Sequence, residues 1–146
     1  CDRKIPKVAK DNELASLLAQ TVTSADAAIC ALDFQGGINQ IMDFCKRVNG
    51  FVTEKEPWVV AKDSTRQSEL EDILYNTAES LRALAVLLHP VMPEVTEKLW
   101  KSLGAQAVLG NIGDQTISNV SNWGQLPTGS VVTKTEVLFP RLEEAK

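Results

Sequence analysis

The chain has 146 residues, of which 44% are hydrophobic, 23% charged and 5% aromatic, and its net charge at pH 7 is −4. This composition is typical of one soluble domain with its own core. The longest apolar stretch, residues 81–92, contains Arg82 and His89, whereas a membrane-spanning helix needs about 20 uninterrupted apolar residues. We therefore expect no transmembrane helix. Because no apolar signal segment follows the basic residues 1–10, we expect a cytoplasmic protein.

Several classes of site are excluded by residue counts. The three cysteines, Cys1, Cys30 and Cys45, are an odd number without a CxxC pair, so neither a disulfide framework nor a zinc site is predicted. We interpret Cys30 and Cys45 as core thiols. With one histidine and no phosphate-binding glycine loop, the chain offers no catalytic constellation, no metal site and no cofactor site. A start at Cys1 rather than Met suggests a piece of a longer polypeptide.

Apolar spacing predicts two helices in the first half of the chain. The first begins at an N-cap, Asp11 or Asn12, and its inward positions are Leu14, Leu17, Leu18, Thr21, Val22, Ala25, Ala28, Ile29 and Leu32. The second has the inward positions Ile38, Ile41, Met42, Cys45, Val48, Asn49 and Val52. Gly36 and Gly37 are expected in its entering turn or first turn, where two helices can approach closely.

Prolines and glycines divide the second half. Pro57 ends the second helix near Glu56 or starts a short new one. The long third helix begins at a capping box, Ser64 with Gln67 or Ser68 with Glu71, and ends before His89-Pro90. Pro93 opens a fourth helix, which Gly104 ends. We expect an acidic solvent face on the third helix, formed by Glu69, Glu71, Asp72 and Glu79.

The C-terminal part has a different composition. Residues 104–129 are rich in Gly, Asn, Ser, Gln and Thr, which predicts loops with one short helical turn around residues 116–122. Residues 130–139 are predicted to form an extended strand. We expect this strand either to pair with a partner outside this chain or to pack as an extended arm. The expected fold is therefore all-α, an antiparallel bundle of about four helices with a loop-rich extended arm. Its parts are a bundle at residues 1–104 and the loop and arm at residues 105–146.

Trp58 is the most suggestive candidate for binding, because it lies at a helix start rather than in an apolar stripe. Terminal tryptophans are usually packed, and a platform for stacking an RNA base is the alternative. Lys62, one turn later, is either solvated or placed to meet a phosphate. Asn49 is either hydrogen-bonded within the helix or exposed to a ligand. Lys46 and Arg47 are further phosphate candidates, with a solvated helix face as the simpler interpretation.

The segment 49–62, NGFVTEKEPWVVAK, resembles the Asn-x-aromatic-Val-(x)4-Pro-Trp pattern of the C-terminal anticodon-binding helical domain of the methionyl-tRNA synthetase family. The resemblance continues through residues 88–93 (LHPVMP), 123–124 (WG) and 138–141 (LFPR), and covers residues 5–142. It implies that the bundle recognises the methionine anticodon, CAU. By resemblance, Trp58 stacks the first anticodon base, Pro57 sets its position, Lys62 lies beside the anticodon loop, and Asn49 braces the helix.

The resemblance also implies an intact enzyme that uses ATP and Mg²⁺ to join methionine to its tRNA, with a catalytic domain elsewhere in the same polypeptide. The catalytic motifs are absent from these 146 residues, so we expect this fragment alone to be inactive. The first bundle helix of the family also has no counterpart before residues 5–7. Two alternatives stay open: the bundle of another class I synthetase, such as a valyl, leucyl or cysteinyl enzyme, or an interaction module that binds no RNA.

Overall fold

The computed structural model describes residues 3–6 and 13–140, and the predicted N-cap at residues 11–12 lies outside them. In the described part the chain is helical, as expected. Its α-helices are α1 (Glu13–Cys30), α2 (Phe34–Lys55), α3 (Pro57–Val60), α4 (Gln67–Leu88), α5 (Pro93–Ser102), α6 (Ala105–Leu109) and α7 (Ile117–Val120). Two 3-10 helices, Ser64–Arg66 and Ile112–Asp114, precede α4 and α7. The four helices of ten residues or more, α1, α2, α4 and α5, correspond to the four predicted ones. None of the helices in the described ranges is long and apolar enough to cross a membrane.

α1 and α2 pack closely as an antiparallel pair. Glu13, at the start of α1, is bound to Arg47 near the end of α2, whereas Ile29 near the end of α1 meets Gly37 in the first turn of α2. A Cβ added at Gly37 would lie 2.7 Å from Cγ1 of Ile29, so the glycine permits this approach. The expectation for Gly36 and Gly37 is confirmed.

The end of the first helix differs from the prediction. Leu32 lies beyond α1, at φ 64° and 77% exposed, instead of on its inward face. The amides of Leu32 and Asp33 donate to the carbonyls of Ile29 and Ala28, which is the hydrogen-bond pattern of a Schellman cap with leucine at the usual glycine position. Cys30 is exposed and Cys45 half-buried, so the interpretation of Cys30 as a core thiol is wrong.

α2 has two neighbouring apolar faces. The deeper face contains Phe44, which is 1% exposed and which the sequence analysis passed over, together with Ile41 and Val48. Met42, expected to face inward, is 39% exposed. With Cys45 it lines one wall of an open apolar groove, whose other walls come from α4, α5 and Leu138 and Phe139 of the arm.

α4 does not begin with either of the predicted capping boxes. Asp63 caps the 3-10 helix before it, accepting a 2.9 Å hydrogen bond from the amide of Thr65, and the N-cap position of α4 itself is Arg66. The predicted end is correct, because α4 stops at Leu88 immediately before His89-Pro90. α5 likewise begins at Pro93.

α4 lies between two core clusters. One contains side chains of α1, α2 and α4, including Leu18, Phe44 and Leu84. The other joins α4 to α5 and to the segment that follows, through Tyr75, Trp100, Leu103, Ala105, Ile112 and Leu126. Gly104, at φ 73°, ends α5 as predicted. The division at residue 104 stays a prediction, and the second cluster contains residues from both sides of it.

Glu79 was predicted to lie on an acidic solvent face of the third helix. That prediction is wrong for Glu79, which is fully buried. Its Oε1 accepts a 2.9 Å hydrogen bond from Nε of Arg82 on the same helix, and its carboxylate also accepts from the amides of Gly124, Gln125 and Leu126. A charge can be buried this way because it is paired and hydrogen-bonded. The pair fixes the segment after α7 against α4.

The C-terminal segment is not the strand that was predicted. Within the described ranges its only β contact is a single antiparallel bridge between Val131 and Lys4. The amide of Ile5 donates to the carbonyl of Ser130, and the amide of Val132 donates to that of Arg3. The partner of residues 130–132 is therefore the N-terminal segment of this chain, and residues 132–137 have no regular structure. The predicted helical turn around residues 116–122 is confirmed as α7.

Candidate nucleic-acid interface

The candidate site is the sharp turn between α2 and α4. α2 ends at Lys55, and Glu56 then adopts a left-handed conformation, φ 43° and ψ 59°, which is uncommon for a residue with a side chain. Pro57 follows at the first position of α3, where its fixed φ suits the helix and its missing N–H costs nothing. Together these two residues reverse the chain and place Trp58 at the outside of the turn.

Trp58 is 53% exposed. Two residues later, Val60 is only 1% exposed and holds α3 against α4. The apolar contact that fixes this turn is therefore made by Val60. A single apolar side chain exposed on a protein surface is normal, so the exposure of Trp58 leaves its ring accessible to a stacked base without requiring one. The ring of Trp58 is therefore accessible, and its role as a stacking platform stays a prediction.

The other predicted site residues lie nearby on the chain and differ in environment. Lys62 is exposed and lies two residues after the end of α3, and its amide donates to the carbonyl of Val59 at 3.1 Å. Pro57 is half-buried. Asn49 is exposed, on the last two turns of α2, and its carbonyl accepts from the hydroxyl of Thr53. Asn49, predicted among the inward positions of the second helix, is exposed instead, and its bracing role stays a prediction.

Most cations near the turn are already bound to carboxylates. Lys46 is 2.7 Å from Asp43, and Arg47 holds both Glu13 and Glu54, at 2.9 and 3.1 Å. Its hydrogen bond to Glu13 and the two carboxylate charges raise the pKa of Arg47. This weakens Lys46 and Arg47 as phosphate candidates, since a phosphate would have to displace an existing partner.

A second network stiffens the far side of the turn. The carboxylate of Asp63 accepts from both the hydroxyl and the amide of Thr65, which lowers the pKa of Asp63. Arg66 forms two hydrogen bonds with Glu69, at 2.7 and 2.8 Å, and these raise the pKa of the arginine and lower that of the glutamate. The turn that carries Trp58 is thus held from both ends. The sequence analysis missed Asp63 and Arg66, although Asp63 two residues before Thr65 is a recognisable cap.

The single histidine of the sequence lies away from this turn, between α4 and α5. His89 has its Nδ1 2.9 Å from the hydroxyl of Thr96, across the turn between α4 and α5. This contact links the end of α4 to the first turn of α5. Across residues 3–6 and 13–140, no group of three or more His, Cys, Asp or Glu side chains is placed to hold a metal ion.

Comparison with known proteins identifies the family. A family model described as the anticodon-binding domain of tRNA ligase matches residues 11–137. The methionine-tRNA ligase of Streptomyces coelicolor is 54% identical over 130 residues, which are 87% of this chain and 24% of that protein.

Two solved structures show the same fold. The apo form of Mycobacterium tuberculosis methionyl-tRNA synthetase matches with a TM-score of 0.80 at 22% identity, over 99% of this chain and 29% of that chain. Its complex with methionyl-adenylate matches with a TM-score of 0.74 at 23% identity, over 96% of this chain and 27% of that chain. This chain thus spans about a quarter of the length of these relatives. It belongs to the family of anticodon-binding domains of tRNA ligases, and the relatives that it matches are methionine-tRNA ligases.

Proposed function

We propose that this domain binds the anticodon loop of methionine tRNA, with anticodon CAU, as part of a methionine-tRNA ligase. The observation that carries the proposal is the exposed indole of Trp58, which follows a left-handed residue and a proline in the order that the family pattern has. Stacking an unpaired base on such a ring is a common way for proteins to hold single-stranded RNA.

The roles of the site residues are those that the family resemblance implies, and their environments support them. Trp58 stacks the first anticodon base, while Pro57 and the buried Val60 fix the turn beneath it. Lys62 is exposed, and no carboxylate in the described part of the chain lies within ion-pair distance, so it is free to meet a phosphate of the loop. Asn49, exposed on the preceding helix, contacts the loop or braces α2.

The intact ligase joins methionine to its tRNA in a catalytic domain that lies elsewhere in the same polypeptide. One of the solved relatives is described as a complex with methionyl-adenylate, which is the product of activating methionine with ATP. We assign ATP, and the Mg²⁺ that the family resemblance implies, to that domain. The domain described here supplies recognition of the tRNA, and alone it is expected to have no activity.

The test is aminoacylation by the ligase that carries this domain, wild type against Trp58→Ala, on tRNA with CAU and on tRNA with a changed first anticodon base. Loss of stacking worth about 1–3 kcal/mol predicts a loss of about 5- to 150-fold in kcat/KM with the CAU tRNA. The variant should also discriminate less well at the changed base. Equal charging by a folded variant would contradict the proposal.

Two controls separate recognition from damage to the enzyme. Methionine activation without tRNA should be the same in both proteins, because it does not use the anticodon. Phe34→Ala removes another exposed aromatic ring, 59% accessible, at the opposite end of the 22-residue helix α2, about 30 Å away. It should leave charging unchanged.

The same experiment addresses the two alternatives. If the bundle belongs to another class I synthetase, a tRNA with a different anticodon will be the preferred substrate. If the domain is an interaction module, which the net charge of −4 and the apolar groove beside Met42 and Leu138 favour, no RNA dependence on Trp58 will be found. Salt-insensitive self-association without RNA binding would support that module.

A further inference from the structure

Some of the cations around the Trp58 turn have a carboxylate partner, and others have none among the described residues. Lys46, Arg47 and Arg66 each have a carboxylate oxygen within 3.1 Å. Lys55 and Lys62 have no carboxylate within ion-pair distance among the described residues, and both are exposed. They lie three residues before and four residues after Trp58. The two lysines that bracket the exposed ring are therefore the available cations of this turn.

We propose that Lys55, together with Lys62, contacts the RNA backbone on either side of the base stacked on Trp58. This proposal rests on the proposed function and adds a residue, Lys55, that the sequence pattern does not include. Stacking on an indole does not fix a nucleotide along the strand, whereas phosphate contacts fix register and orientation. Two lysines, one before and one after Trp58 in the sequence, would supply that register.

Two of the three acids that surround Lys55 are already paired with arginines. Lys55 lines a polar pocket with Glu54, Glu56, Arg66 and Glu69. Of these carboxylates, Glu54 is bound by Arg47 and Glu69 by Arg66, at 3.1 and 2.7 Å. Glu69 feels the charge of Lys55, which lowers its pKa less than the hydrogen bond from Arg66 does. Glu56 has no cation within ion-pair distance among the described residues, and none of the three acids is paired with the ammonium of Lys55, which is therefore available.

The position of Lys55 is also fixed. It is the last residue of α2, and the amide of Glu56 after it still donates to the carbonyl of Val52 at 3.1 Å. The left-handed turn at Glu56 then leads directly into Pro57. Lys55 and Trp58 are consequently held on one short, ordered segment, so their spacing does not depend on a mobile loop.

The test is the salt dependence of binding of a CAU anticodon hairpin to the ligase that carries this domain. Each phosphate contact to single-stranded RNA adds about 0.7 to the slope of log K against log salt concentration. Lys55→Gln and Lys62→Gln should each reduce the slope by about 0.7, and the double variant by about 1.4. Lys98→Gln is the matched control, since Lys98 is another exposed lysine outside the turn that lacks a carboxylate partner among the described residues. It should leave the slope unchanged.

The outcomes separate this inference from the proposed function. If Trp58→Ala weakens binding but the slope for Lys55→Gln equals that of the wild type, the contact by Lys55 is wrong and the function stands. An equal fall in slope for Lys55→Gln and Lys98→Gln would show a diffuse charge effect and would also overturn the contact. If the wild type does not bind the hairpin at all, both the function and the contact are wrong.

Discussion

Glu79 and Arg82, one turn apart on α4, form a buried ion pair that also binds the backbone of a distant segment. Beyond its hydrogen bond to Glu79, the guanidinium of Arg82 donates to the carbonyls of Val120 and Asn122. The carboxylate accepts from three amides between residues 124 and 126. Both charges thereby have hydrogen-bond partners within the protein, and the loop after α7 is fixed to the central helix.

Removing one member of this pair should be costly. Glu79→Ala leaves the Arg82 charge buried and three amides without an acceptor, so we expect the free energy of unfolding to fall by about 3–5 kcal/mol. Chemical denaturation of the domain measures it. Glu97→Ala is the control, because its pair with Lys101 is half-exposed and is expected to contribute less than about 1 kcal/mol. Equal losses in the two variants would contradict the role given to the buried pair.

The two glycines of α2 should respond oppositely to alanine. At Gly37 a Cβ would lie 2.7 Å from Cγ1 of Ile29, so Gly37→Ala must push α1 away and should destabilise the domain by about 1 kcal/mol or more. At Gly50 the nearest atom is Nη1 of Arg47 at 3.5 Å, an ordinary contact, and Gly50→Ala should stabilise by about 0.5–1 kcal/mol. Thermal unfolding of both variants gives the comparison. A Gly37→Ala domain as stable as the wild type would show that α1 and α2 are not closely packed there.

Acid should loosen the turn that carries Trp58. The hydrogen bonds from Thr65 lower the pKa of Asp63 in the folded state, so its ionised form stabilises folding above the unfolded-state pKa. That contribution is lost as the pH falls below about 4 and the carboxylate is protonated. Asp63→Asn keeps an acceptor for the cap but cannot ionise. Its unfolding free energy should therefore fall less than that of the wild type between pH 7 and pH 3, and parallel curves would contradict this account.

Local chain chemistry explains what could be predicted from the sequence. Pro57 and Pro93 begin helices because a proline fits the first turn of a helix but not its interior. Gly104 ends α5 because the left-handed backbone conformation at this position favours glycine. The position of Trp58 at a helix start was predictable for the same reason. Its exposure was not, because it depends on Val60, and not Trp58, being the residue that packs against α4.

What could not be predicted depends on contacts between segments far apart in sequence. Glu79 and Arg82 have the spacing of an ordinary surface pair, and only the backbone of residues 120–126 makes burial possible. The partner of residues 130–132 is a segment at the other end of the chain, which no periodicity indicates. On α2 the apolar residues occupy two adjacent faces, so the pattern alone did not show that Phe44 is buried and Met42 exposed.

The most direct test of the central claim is the affinity of the ligase that carries this domain for a CAU anticodon hairpin, wild type against Trp58→Ala. Base stacking on Trp58 predicts a Kd that is about 5- to 150-fold higher for the variant, and an unchanged Kd for Phe34→Ala. Equal Kd values for the wild type and a folded Trp58→Ala variant would contradict the assignment of this turn as the anticodon-binding site.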